Sequence, residues 1–124
     1  MAKVTGIGGV FFRARDPEAL AAWYETHLGI DPAPTDMDSP VWTQAAGATV
    51  FAPFAADTDY FPADRQVMLN FRTDDLAGLL ADLKAAGIAV SHEQEMEGLG
   101  RFARIHDPEG NPVELWQPPT EAGS

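Results

Sequence analysis

What most constrains this chain is that it repeats itself. Arg13, Asp16 and Leu20 fall on Arg72, Asp75 and Leu79 under one constant offset, and Gly29 and Ile30 fall on Gly87 and Ile88 under an offset shorter by one residue. Each copy carries a helix pattern. In the first, Asp16 is placed to cap, Pro17 fits the opening turn, and Leu20, Trp23, Tyr24, His27 and Leu28 recur at helical spacing before Gly29. In the second, Asp74 or Asp75 caps, Leu76, Leu79, Leu80 and Leu83 share one face, and Gly87 terminates.

Strand-like runs flank both helices. Residues 4–14 and 66–72 precede them and are rich in Val, Phe and other strand formers. Short runs follow: 41–45 and 48–54 in the first half, 88–92, 102–106 and 112–117 in the second. The closing hairpins correspond, 48–53 aligning with 113–118, each after a turn at 46–47 or 107–111. The expected fold is therefore α+β, with two βαβββ modules at 1–54 and 66–118, a connection at 55–65 and a loose tail at 119–124. The stretch 31–40, with three prolines and three aspartates, reads as a loop, and the two aromatics of the connection, Tyr60 and Phe61, are placed to pack over a strand or a partner subunit.

Composition narrows the functional classes. At 124 residues the chain suits one domain with a real core. No apolar run is long enough for a membrane span and no signal-peptide pattern opens the chain, so a cytoplasmic protein is expected. A net charge of -11 repels polyphosphates and anionic membranes, which argues against nucleic acid or a membrane as partner. The same charge fits either a solvated surface or attraction of a cationic ligand. The absence of cysteine leaves His, Asp and Glu as the strong metal donors. There is no Gly-x-Ser-x-Gly elbow, and Gly6-Ile-Gly-Gly9 lacks the lysine and spacing of a phosphate loop.

Three segments carry a family resemblance: Gly9-Val-Phe-Phe-Arg-Ala-Arg-Asp-Pro leading to Trp23-Tyr-x-x-His-Leu-Gly29; Asn70-Phe-Arg-Thr-Asp-Asp-Leu; and Asp107-Pro-Glu-Gly-Asn-Pro-Val-Glu114-Leu-Trp. The chain resembles the vicinal oxygen chelate superfamily, which includes glyoxalases, bleomycin and fosfomycin resistance proteins and extradiol dioxygenases. The resemblance implies that each module curls into a partial barrel around a concave cavity, that chains pair as homodimers, and that a metal sits on equivalent strand positions. Those positions fall on Gly9, Thr49, Met68 and Glu114, so Glu114 is the lone candidate ligand. About three protein ligands are usual for a catalytic metal, so no cofactor is expected, with a divalent metal on Glu114 kept as the alternative. His27 fits the carbonyl end of the first helix, and His92 and His106 fit strand ends.

Strand alternation then extends the family positions into an inward set of Phe11, Arg13, Met68, Asn70, Arg72, Glu114 and Trp116. Phe102 and Arg104 belong to it by the family pattern, and Trp42 and Gln44 on a first-half strand add to it. Such a lining of rings with few polar groups suits a small organic molecule with a flat body and a polar handle. Glu114 is placed to meet a ligand cation or Arg104, and Arg13 and Arg72 fit rim ion pairs or an anion. Three functions stay open: a metal-independent binding protein of the bleomycin-resistance type, a glyoxalase-like lyase or isomerase in which Glu114 is the catalytic acid or base, and an interaction module.

Overall fold

The computed structural model describes residues 2–36, 38 and 41–119. The end of the expected loose tail, from residue 120, and part of the 31–40 loop lie outside them. The elements run α1 (Pro17–Leu28), β1 (Leu69–Arg72), α2 (Leu76–Ala85), β2 (Ser91–Met96), β3 (Gly100–His106) and β4 (Pro112–Gln117). No helix among the described residues is long and apolar enough to cross a membrane.

Both helices start and stop where their side chains dictate. The Asp16 carboxylate accepts from the Ala19 amide at 3.2 Å, and Asp75 accepts from the Gly78 amide at 3.0 Å, each meeting a donor that a helix leaves unpaired. α1 ends at Gly29, whose φ of 72° is a left-handed conformation that a side chain disfavours.

The strands form one sheet in the order β1-β4-β3-β2, with β1 parallel to β4 and the other pairs antiparallel. Because side chains alternate, Ala103, Ile105, Val113 and Leu115 face one way and bury beneath Leu20 and Tyr24 of α1 and Leu76, Leu80 and Leu83 of α2. That helix-covered face is the core. The turn between β3 and β4 is drawn onto Asp107, whose carboxylate accepts from the Glu109 and Asn111 amides and from Asn111 Nδ2 at 2.8–3.0 Å.

Sequence and structure part in the first half. The second half closes as one βαβββ unit, but of the expected first module only α1 forms, and the described parts of 2–16 and 41–54 join no ladder. A strand is held by pairing with a neighbouring edge, and these segments find none among the described residues. Their apolar side chains are correspondingly open, with Val4 89%, Phe11 95% and Phe51 85% exposed. Arg72 tethers the segment, donating through Nη2 to the Ala45 carbonyl at 3.0 Å. The expected strand at 88–92 lies later, at Ser91–Met96, with an irregular register between Ser91 and Gln94 where His92 takes a φ of 54°.

Candidate functional site

The face of the sheet turned away from the helices gathers the polar chemistry. Asn70 on β1, Glu114 on β4 and Arg104 on β3 are successive register partners and form one row across three strands. One step along, Phe102 and Trp116 are also partners, and their rings stack with centroids 6.2 Å apart and planes 8° from parallel. Trp116 is held in place by Nε1 donating to the Leu99 carbonyl at 2.7 Å.

Glu114 is 9% exposed and Arg104 5%, although no helix covers this face. The 55–65 connection does so instead. Tyr60 donates its phenol hydrogen to Glu114 Oε2, Asn70 Nδ2 donates to Oε1 at 2.7 Å, and Arg104 Nη2 donates to the Tyr60 carbonyl at 2.8 Å. The guanidinium also stands 5.3 Å from the centre of the Tyr60 ring. Burial, then the hydrogen bond and charge of Glu114, hold the Tyr60 phenol above its ordinary pKa, with Arg104 opposing in part. Among the described residues, Arg104 Nε is a buried donor with no partner.

Arg104 therefore does not form the ion pair with Glu114 that was one of two expectations; the phenol and carbonyl of Tyr60 stand between their binding capacities. Met68 lies half-buried just before β1. Phe11, Arg13 and Trp42 stand on first-half segments and make no hydrogen bond or ring contact with this row. Arg13 instead lines a groove of about 350 Å³ with Arg15, Arg65 and Glu109. Arg72 is turned to the 45–46 carbonyls and not to an aspartate. His27 lies in the last turn of α1 with its ring 5.3 Å from that of Trp23. A groove of about 470 Å³ on the helix side, lined by Ala19, Trp23, His27 and Pro108 among others, is remote from Glu114. The described residues do not close a cavity around the row.

The model of the glyoxalase-like domain family matches residues 9–116. The chain belongs to the glyoxalase-like domain family. No curated protein matches it. Among solved structures, TnmS3, an antibiotic binding protein from Streptomyces sp. CB03234, is 27% identical, covers 96% of this chain and 100% of its own, and superposes with a TM-score of 0.65. Lactoylglutathione lyase from Agrobacterium tumefaciens, at 19% identity over 91% of this chain and 96% of its own, shares the fold with a TM-score of 0.55. The family match accords with the resemblance to the vicinal oxygen chelate superfamily.

At the four positions that the family resemblance assigns to a metal, the residues of this glyoxalase-like domain are poor donors to a divalent cation. Gly9 offers no side chain, Thr49 a neutral hydroxyl and Met68 a thioether, a poor donor to hard ions. Both oxygens of Glu114 already accept hydrogen bonds. Among the described residues no three His, Asp or Glu side chains stand together as metal ligands would. The residue that sequence reasoning did not place in the site is Tyr60; its only signal was an aromatic pair inside an acidic, proline-punctuated connection.

Proposed function

We propose that this glyoxalase-like domain binds a small, flat organic molecule without a metal, holding it between the Phe102–Trp116 stack and the Asn70–Glu114–Arg104 row. The observation that carries the reading is the meeting of an aromatic platform and a buried carboxylate and guanidinium on one sheet face. A site of this kind takes orientation from few polar groups and affinity from ring surface. Similarity to an antibiotic binding protein over nearly the whole chain supports the same class of ligand. Titration with planar aromatic antibiotics, followed by tryptophan fluorescence, is expected to give saturable quenching that chelator leaves unchanged. Trp116→Ala is expected to weaken it at least tenfold. No saturable binding by any such compound up to high micromolar concentration sinks the reading.

A second copy of the chain is the proposed partner of the first half. Support comes from the exposed Val4, Phe11 and Phe51, on segments without a ladder, and from the open edges of β1 and β2. Light scattering is expected to give twice the 13.4 kDa chain mass, with Phe51→Glu lowering it; a monomer across the micromolar range overturns the pairing.

A further inference from the structure

Tyr60 occupies the polar row in the manner of a ligand. Its phenol donates to one oxygen of Glu114, its own carbonyl accepts from Arg104, and its ring lies against the guanidinium. These are the two polar groups and the flat body that such a site would select. Resting on the binding reading above, we propose that Tyr60 is a displaceable internal occupant, and that the site's ligand is a hydroxylated aromatic that presents a phenol to Glu114 and a carbonyl to Arg104.

Three further observations support displacement. Among the described residues, the side-chain hydrogen bonds that tie the segment bearing Tyr60 to the β3–β4 turn lie after it: Arg65 donates to the Asn111 side chain and the Glu109 carbonyl at 3.2 and 3.1 Å, whereas before Tyr60 the hydrogen bonds are local, Thr58 N to the Ala55 carbonyl and Tyr60 N to Thr58 Oγ1, and the ring contacts are those of Phe54 with Tyr60 and Phe61. Tyr60 itself is 39% exposed, so its ring has a path outward. The occupied row is also incompletely satisfied, because Arg104 Nε is buried without an acceptor, and a ligand carbonyl able to meet both guanidinium nitrogens satisfies what Tyr60 leaves open. Exchange of one phenol for another on Glu114 conserves the hydrogen bond, so selectivity follows from the hydroxyl: an analogue without it displaces Tyr60 and leaves the carboxylate short of a donor.

The occupant lowers apparent affinity by the fraction of time it is seated. The test uses 6-acetyl-2-naphthol, which carries both groups, and 2-acetylnaphthalene, which lacks the hydroxyl. The naphthol is expected to bind the native protein more tightly than the hydroxyl-free analogue, and Tyr60→Phe, which cannot bond Glu114, is expected to tighten naphthol binding by about tenfold for an occupant seated nine-tenths of the time. With two tyrosines in the chain, protein labelled with 3-fluorotyrosine gives two fluorine resonances, assigned by Tyr60→Phe. Saturation with the naphthol is expected to move the Tyr60 resonance and leave that of Tyr24 in place. Binding that Tyr60→Phe weakens or leaves unchanged, or that leaves the Tyr60 resonance unmoved, overturns the internal occupant while the binding function stands. Absence of binding by either compound to native and Tyr60→Phe protein overturns the assigned ligand class, and with the antibiotic titration also negative it removes the binding function as well.

Discussion

Tyr24 of α1 donates its phenol hydrogen to Asp107 Oδ2 at 2.7 Å, a buried bond that fastens the first-half helix to the β3–β4 turn of the second half. The phenol ring also packs edge-on against Phe71 at 6.1 Å. Tyr24→Phe keeps the ring and removes the bond. Asp107 retains three other donors, so the expected loss is about 1–2 kcal/mol. Calorimetry should show a Tm lower by roughly 4–8 °C.

The same bond sets an alkaline limit. Burial, then the hydrogen bond and negative charge of Asp107, raise the Tyr24 phenol far above its ordinary value of 10.0. A group whose pKa is raised by folding stabilises the protein fully below its unfolded pKa and loses that contribution as pH climbs through the interval up to its folded value. Stability is therefore expected to be insensitive to this group below pH ~10 and to fall above it, by up to about 1.4 kcal/mol per pH unit. Denaturant titrations between pH 9 and 11 should show a shallower decline for Tyr24→Phe.

Glu109 supports the entry to α1, since its carboxylate accepts from the Arg15 and Asp16 amides at 2.6 and 2.9 Å. Glu109→Ala leaves those donors to water and removes a negative charge near the helix N-terminus, at a cost of about 1 kcal/mol. Glu109→Gln, keeping one acceptor, should lose less; urea midpoints distinguish the two.

Gly100 opens β3 with a φ of 111°, and an added Cβ would run into the Gln117 carbonyl of β4. Gly100→Ala is expected to cost about 2–3 kcal/mol through backbone strain and contact with an atom that cannot turn aside. An unchanged urea midpoint contradicts this account.

The parts of this fold that were legible are those punctuated by side chains. Asp16, Pro17 and Gly29 bound α1 where their capping chemistry places them, and β4 runs over the expected 112–117. Glu114 and Trp116 were grouped by alternation and Phe102 and Arg104 by the family pattern, and all four stand on the sheet face opposite the core-facing Ala103, Ile105, Val113 and Leu115. β2 was misplaced because Ser91–Met96 is exposed throughout and lies at a sheet edge, where pairing needs no apolar alternation. The 4–14 and 41–54 runs have strand-forming side chains, but propensity supplies no edge to pair with. Tyr60 was expected to pack over a strand or a partner subunit and does lie over the sheet, but its contact with the Glu114 row was not legible, because it comes from where the 55–65 loop crosses and no periodicity encodes that.

The division of the sheet into a helix-bearing side and a side crossed by the 55–65 connection carries an evolutionary consequence. Substitutions at 70, 102, 104, 114 and 116 change what meets the open side while the leucine, isoleucine and valine layer beneath is untouched. Under the binding function proposed above, the less buried positions 70, 102 and 116 can change at little cost in folding, whereas Arg104 and Glu114, buried and bonded to Tyr60, change only in step with that tyrosine.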